Sequence, residues 1–176
     1  NNKKKLMNSL NYFLKKKLIS IISIIKRNNS FHARYSAKFR IYKYIIFNRE
    51  SNPSIFINRG WHIKNKIYMD TIKLGAKLLE GKKDFSTFRA SKCNAKSPIR
   101  TINYVKVKKR KNQIELEFKS QSFLQQQVRS MVGCLKVLGE KKWNIKKFKA
   151  VLVSKKRKLC APPAPPYGLF LEKVIY

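Results

Sequence analysis

Acidic residues are scarce in this 176-residue sequence: eight Asp and Glu stand against 42 Lys and Arg, and the histidines number two, His32 and His62. With only Glu50, Asp70, Glu80, Asp84, Glu115, Glu117, Glu140 and Glu172 to draw on, most acid–base constellations cannot be assembled. A two-carboxylate hydrolase or a polynuclear metal site is close to excluded. Cysteine is scarce too. Cys93, Cys134 and Cys160 are odd in number, contain no CxxC pair and have no nearby histidine, which argues against both a disulfide framework and a zinc site and fits a reducing, cytoplasmic compartment. Neither GxGxxG nor GxxxxGK[ST] occurs, so the phosphate-cradling loops of nucleotide binders are missing. No metal and no cofactor is expected.

Long apolar runs are also lacking. Leu18–Ile25, preceded by Lys15, Lys16 and Lys17, imitates a signal peptide but has no small-residue cleavage site, and its eight residues are far too few to span a bilayer. It reads as a buried strand, and no membrane association is expected. The chain opens on Asn1 and Asn2 rather than Met, which reads as a fragment.

What is abundant is positive charge, formally +34, which makes a polyanionic partner the first inference. Lysine supplies 32 of the 42 cations, alongside abundant Asn and Ile, a bias also expected of an AT-rich genome, so the ten arginines are the more informative. A guanidinium is a planar, bidentate donor that lysine cannot imitate. The chain is no disordered tail: at 43% hydrophobic and 12% aromatic it has ample core material, and a chain of this length buries roughly 70% of its unfolded surface.

Leu6, Leu10, Phe13 and Leu14 recur at helical spacing, before the expected strand at Leu18–Ile25 and a polar break over 27–30. Residues 31–47, FHARYSAKFRIYKYIIF, read as a strand with one basic, aromatic face, because Tyr42, Tyr44 and Ile46 alternate with Ile41, Lys43 and Ile45. After a loop over 48–60, Asp70 reads as the N-cap of a helix closed by Gly81. Residues 101–107 and 113–120 alternate with period two around a polar turn, a hairpin. Phe123, Val128, Met131, Val132 and Leu135 mark a helix ending near Gly139; another starts at Asn144, and a last strand covers 168–176 after the rigid APPAPP segment. The expected architecture is α+β, an antiparallel sheet packed with helices, divided into residues 1–30 and 31–176.

Three stretches carry candidate chemistry. Residues 31–49 interleave aromatics with Arg34, Lys38, Arg40, Lys43 and Arg49, the composition that stacks bases and clamps phosphates, although a half-buried strand with a solvated basic face has the same pattern. In DFSTFRA, Phe85 and Phe88 read as anchors of a loop whose Arg89 guanidinium points outward, either to a phosphate or simply to solvent. In SQSFLQQQVRSMVG, Arg129 falls beside the packed side of its helix and needs an anionic partner. Asp70 or Asp84 would supply it structurally; a carboxylate or phosphate in a cleft is the alternative.

These blocks, FHARYSAKFRIYKYIIFN, DFSTFRASKC followed by SPIRTI, SFLQQQVRSMVG, and APPAPPYGLFLEKVIY, resemble in order and spacing the C-terminal two thirds of a bacterial tRNA pseudouridine synthase of the TruA type. The resemblance implies cofactor-free isomerisation of uridine to pseudouridine on the 3′ side of the tRNA anticodon stem-loop, in a cleft between two α+β halves of a homodimeric enzyme. By block position it assigns Tyr42 to packing on the target uracil, Arg129 to pairing with the nucleophilic carboxylate and Leu169 to the same pocket. Arg34 and Arg89, with Lys43 beside them in the basic stretch, are assigned to the RNA backbone, and the cysteines become plain core residues. The family's nucleophilic aspartate lies in an Arg-Thr-Asp-x-Gly-Val-His motif, which these 176 residues do not contain; the expected reading is a chain that begins downstream of it. The rival is a non-catalytic RNA-binding module that kept the cleft and lost the nucleophile, and a basic ribosome-associated protein is a more distant third.

Overall fold

The computed structural model describes residues 2–176 and divides into two compact units, the first ending at Ser36 and the second running Ala37–Tyr176. In the first, α1 (Asn2–Leu14) forms where the helical spacing of Leu6, Leu10, Phe13 and Leu14 requires it. The strand expected at Leu18–Ile25 does not form. A strand needs a ladder partner, and no strand lies within residues 2–36. Instead the Asn11 side chain stands in for one: its Nδ2 donates to Ile21 O at 2.9 Å and its Oδ1 accepts from Ile21 N at 2.7 Å. Leu18, Ile19, Ile22 and Ile25 are consequently exposed rather than buried. The unit closes on a turn over 32–36, where His32 Nδ1 accepts from Arg34 N and Tyr35 N and Ser36 N donates to His32 O.

The second unit is a mixed six-stranded sheet with helices on one face, an α+β fold as expected. Its central strand is β1 (Phe39–Asn48), shorter than the 31–47 expected because the His32 turn takes up the first residues. One edge of β1 pairs antiparallel with β5 (Gln113–Ser120), then β4 (Ile99–Arg110) and β3 (Gly81–Asp84). Its other edge is shared between the antiparallel β6 (Leu169–Ile175), along its first half, and the parallel β2 (Trp61–Ile63), at its end. The short parallel pair is the one departure from an antiparallel sheet. The expected β4–β5 hairpin is present, with Lys111 at φ 50° in its tight turn.

Period-two burial makes one face of the sheet the core. Tyr44 and Ile46 lie beside Leu116 and Ile114 in register, with Phe118 and Val105 continuing the layer. The helices α2 (Met69–Leu79), α3 (Gln127–Gly139) and α4 (Ile145–Val153) cover it with Ile72, Ala76, Leu79, Met131, Leu135, Leu138 and Phe148. The aromatic side of β1 is therefore the core side, and Lys43 projects from the opposite face. The single basic, aromatic face expected for this strand is split between the two sides of the sheet because alternation sends neighbours in opposite directions. Asp70 is not the N-cap of α2: Tyr68 occupies that position, its nitrogen donating to Gly139 O at 2.9 Å and its carbonyl accepting from Ile72 N at 3.2 Å. Asp70 instead lies exposed in the first turn, where a carboxylate complements the positive end of the helix dipole. Gly81, the first residue of β3 and the second after α2, takes φ +92°, as expected of a residue closing the helix. Asn144 caps α4 through Oδ1, which accepts from Lys147 N at 2.8 Å. Among the described residues no helix is long and apolar enough to cross a membrane.

Candidate active-site cleft

A cleft of about 270 Å³ opens where the helix-side face of β1 and β6 meets the start of α3, lined by Tyr42, Phe123, Leu124, Gln125, Gln126, Gln127, Val128, Arg129 and Leu169. Three of the residues singled out from sequence, Tyr42, Arg129 and Leu169, therefore reach one site from three elements. Tyr42 is on the half-buried stretch of β1 just before the buried Tyr44, and its ring meets Phe123 edge-on, with centroids 5.3 Å apart and planes at 88°. That pair forms an aromatic wall of the cleft.

The start of α3 owes its geometry to three consecutive glutamines. Gln126 sits in the left-handed region at φ 60°, ψ 4°, where a side chain is uncommon. Gln127 then braces the turn: its backbone nitrogen donates to Leu124 O at 3.1 Å and its Oε1 accepts from Leu124 N at 2.8 Å. Its Nε2 is buried with no hydrogen-bond partner among the described residues, an unsatisfied donor in the cleft wall. Behind this turn α3 is packed through Val128, Met131, Val132 and Leu135, so Arg129 is carried by a rigid element.

Arg129 is half-buried. Its Nε donates to Ala164 O at 2.6 Å, and its own carbonyl accepts from Ala164 N at 2.9 Å, so the residue ties α3 to the proline-rich segment from both ends. Neither aspartate is its partner. Asp84 accepts from Ser86 N at 2.8 Å and from Ser86 Oγ at 2.6 Å, and faces Lys155 Nζ at 3.6 Å, while Asp70 is exposed on α2. Burial alone would raise the Asp84 carboxyl, but its bonds to Ser86 and the charge of Lys155 hold it below the ordinary carboxylate range. Among the described residues Arg129 makes no ion pair, so its charge sits in the cleft wall without an anion from this chain.

The segment after Ala164 fixes the far wall. Tyr44 Oη donates to Pro165 O at 2.8 Å; burial, reinforced by Tyr167 and opposed by Arg129, pushes this phenol well above its usual range, so it stays a neutral strut. A Cβ at Gly168 would lie 2.8 Å from Tyr44 Cζ and 2.9 Å from Ile45 O, which is why the chain turns into β6 there on a glycine. Leu169 follows directly and faces the cleft.

The other expected contacts lie elsewhere. Lys43 projects from the opposite face of the sheet, paired with Glu172 Oε1 at 3.0 Å, in a polar groove with Lys106, Lys108, Arg110, Glu115 and Glu117. Phe85 and Phe88 are buried anchors as expected, but the Arg89 guanidinium turns onto its own loop rather than outward: Nη2 donates to Cys93 O at 2.6 Å and to Ala95 O at 2.7 Å. Arg34 belongs to the first unit, its guanidinium 5.7 Å from the centroid of the Tyr35 ring. Phe123 and the glutamines 125–127 are cleft residues that side-chain chemistry did not single out; the only sequence signal for them is their place in the block that carries Arg129.

A family model described as tRNA pseudouridine synthase matches residues 76–176. Among curated relatives, tRNA pseudouridine synthase A of Pelagibacter ubique (strain HTCC1062) is 63% identical over 172 residues, covering 98% of this chain and 70% of that protein. The proteins of the same name from Caulobacter sp. (strain K31) and Neorickettsia sennetsu (strain ATCC VR-367 / Miyayama) are 38% and 40% identical, each covering 97% of this chain and 68% and 70% of their own lengths.

Proposed function

The chain belongs to the tRNA pseudouridine synthase family, and from that membership we propose that it is the part of a tRNA pseudouridine synthase that receives the target uridine and orients the nucleophile. The observation that carries this reading is the convergence of Tyr42, Leu169 and Arg129 on one cleft in which the arginine has no anion of its own.

The reaction breaks the bond between N1 of uracil and C1′ of ribose, turns the base, and joins C5 to C1′, with the C5 proton leaving to a base. Each step makes a demand that a cleft of this kind meets. A nucleotide taken out of its stack needs an aromatic face to replace the lost stacking, and Tyr42, buttressed by Phe123, offers one. The Tyr42 hydroxyl is the group proposed to help remove the C5 proton. Leu169 closes the apolar side. Arg129 supplies the fixed positive charge that keeps a nearby aspartate ionised and aimed. That aspartate is proposed to come from an Arg-Thr-Asp segment outside these 176 residues, since Asp70 lies exposed in the first turn of α2 and Asp84 is engaged by Ser86.

The finer reading is a tRNA substrate engaged at the anticodon stem-loop, by a homodimer acting in the cytoplasm. The formal charge of +34 supports binding dominated by phosphate contacts. Affinity for an anticodon stem-loop should then fall steeply as salt rises from low to physiological strength, and Tyr42→Ala should abolish pseudouridine formation while leaving most of that affinity. Salt-independent binding would remove the phosphate-dominated reading. Undiminished turnover by Tyr42→Ala would remove the cleft from the chemistry and favour a module that only binds RNA.

A further inference from the structure

Cys134 and Cys160, 26 positions apart, bring their sulfurs to 3.5 Å. Cys134 lies on the packed side of α3 with no exposed surface, whereas Cys160 ends the 3₁₀ turn Arg157–Leu159 and is partly exposed. Arg157 reaches across this seam: its Nη1 donates to Ser130 Oγ at 2.7 Å and lies 3.4 Å from Cys160 Sγ. Ala161 N is 3.4 Å from Cys134 Sγ. The two sulfurs therefore differ. The hydrogen bond between the two sulfurs, together with the Arg157 charge, outweighs burial and holds Cys160 below the ordinary thiol range; the same bond and burial push Cys134 up. At Cys93 burial is likewise outweighed, by bonds from Ala95 and Gln125 and by Arg89, which hold its thiol below the ordinary range, but among the described residues no second sulfur pairs with it. Nothing in the uridine chemistry uses the pair.

We propose that Cys134 and Cys160 form an oxidation site, a dithiol that hydroperoxides convert to a reversible disulfide with Cys160 as the sulfur oxidised first. The Cys160 thiolate attacks one peroxide oxygen, the O–O bond breaks and hydroxide leaves, giving a sulfenic acid at Cys160. The Cys134 sulfur then attacks the Cys160 sulfur, the S–O bond breaks, and hydroxide departs as water with the Cys134 proton. Two thiols are oxidised by two electrons in all, and hydrogen peroxide is reduced to two waters. A dithiol reverses the bond by exchange.

The position of the pair gives the reaction a consequence. α3 and the segment after Cys160 already meet closely: a Cβ on Gly133 would collide with Pro162 O, and two residues further on Ala164 holds Arg129. A covalent bond across this seam fixes the wall behind the cleft.

The test uses the full-length protein, reduced and then exposed to hydrogen peroxide, alkylated in denaturant, digested without reductant and read by mass spectrometry. The expected result is a peptide pair joined through Cys134 and Cys160, with Cys93 alkylated, alkylation of the other two reduced by about tenfold, and full recovery after dithiothreitol. In Cys134→Ala the sulfenic acid at Cys160 should persist and be trapped by dimedone, and in Cys160→Ala, Cys134 should stay alkylatable. Because the cross-link is read on the unsubstituted protein, failure of either variant to fold leaves the test intact. Equal alkylation of both cysteines before and after peroxide would overturn the proposal, as would sulfinic acid at Cys160 with Cys134 still free.

Discussion

Replacing Arg129 by leucine in the full-length protein separates two jobs that meet in one side chain. The structural job is visible: the substitution removes the 2.6 Å bond from Nε to Ala164 O but leaves the 2.9 Å backbone bond from Ala164 N to the carbonyl of residue 129, and leucine still fills the half-buried stem position. Losing one charge-assisted hydrogen bond costs about 2 kcal/mol, which in a chain of this size lowers Tm by roughly 4–8 °C. The chemical job is expected to be larger. Removing a charge that orients a reacting group typically costs roughly 10²–10³ in kcat. Arg129→Lys should keep Tm within a few degrees yet recover little activity, because an ammonium cannot donate to Ala164 O and to a carboxylate with the planar fork of a guanidinium. Thermal melts and single-turnover pseudouridine formation at several temperatures, all well below the variant's Tm, separate the two. Activity that returns on cooling, or a melting loss of the size seen when a buried ion pair is broken, about 3–5 kcal/mol, would refute the reasoning.

Tyr42→Phe should keep tRNA affinity within a few-fold and slow turnover, whereas Tyr42→Ala loses base placement as well; equal, unimpaired turnover by both in a pseudouridine assay would reduce the tyrosine to a strand residue. Gln126→Gly relieves a left-handed side chain and should raise stability by about 0.5–1 kcal/mol in urea unfolding, a gain that would be absent if contacts of the glutamine compensate the strain. Glu140, with only 2% of its side chain accessible, is bound by Lys136 at 2.8 Å, Lys142 at 2.9 Å and Asn65 at 3.2 Å. Burial would raise this carboxyl, but those bonds dominate and hold it below the usual range. Its contribution is therefore complete above the unfolded carboxylate value of about 4.3 and is lost as pH falls through the lower folded value. Glu140→Gln should cost about 2 kcal/mol at pH 7, and the gap in urea midpoints should close below about pH 4; a gap independent of pH would show that the charge is not what stabilises.

Elements whose signal is local were legible in the sequence. The β4–β5 hairpin, the cap at Asn144 and the left-handed Gly81 follow from alternation, a side-chain acceptor and a missing Cβ, all of which act within a few residues. Leu18–Ile25 has a strand's apolarity but not its structure, because apolarity alone does not supply a ladder partner. The faces of β1 are not legible from composition, which averages over a strand while alternation separates its neighbours, sending Lys43 to Glu172 and Tyr44 to Pro165. In the cleft, Tyr42, Arg129 and Leu169 were reached only through resemblance of whole blocks, since they lie on three elements far apart in the chain. The αL turn of Gln126 and the seam between Cys134 and Cys160 depend on how α3 packs against the proline-rich segment, and no local pattern carries that.

The most direct measurement is the pseudouridine content of a tRNA transcript after incubation with the 176-residue chain, set beside the same chain extended by an upstream Arg-Thr-Asp segment and beside that extension with its aspartate changed to asparagine. The 176 residues alone should bind the transcript and form no pseudouridine, the extended chain should form it, and the asparagine form should bind without turnover, because Arg129 and Tyr42 then have a base to hold but no nucleophile to orient. Pseudouridine formed by the 176 residues alone, or activity lost on Asp70→Asn or Asp84→Asn in a protein that remains folded, would place the nucleophile inside this chain and contradict the assignment.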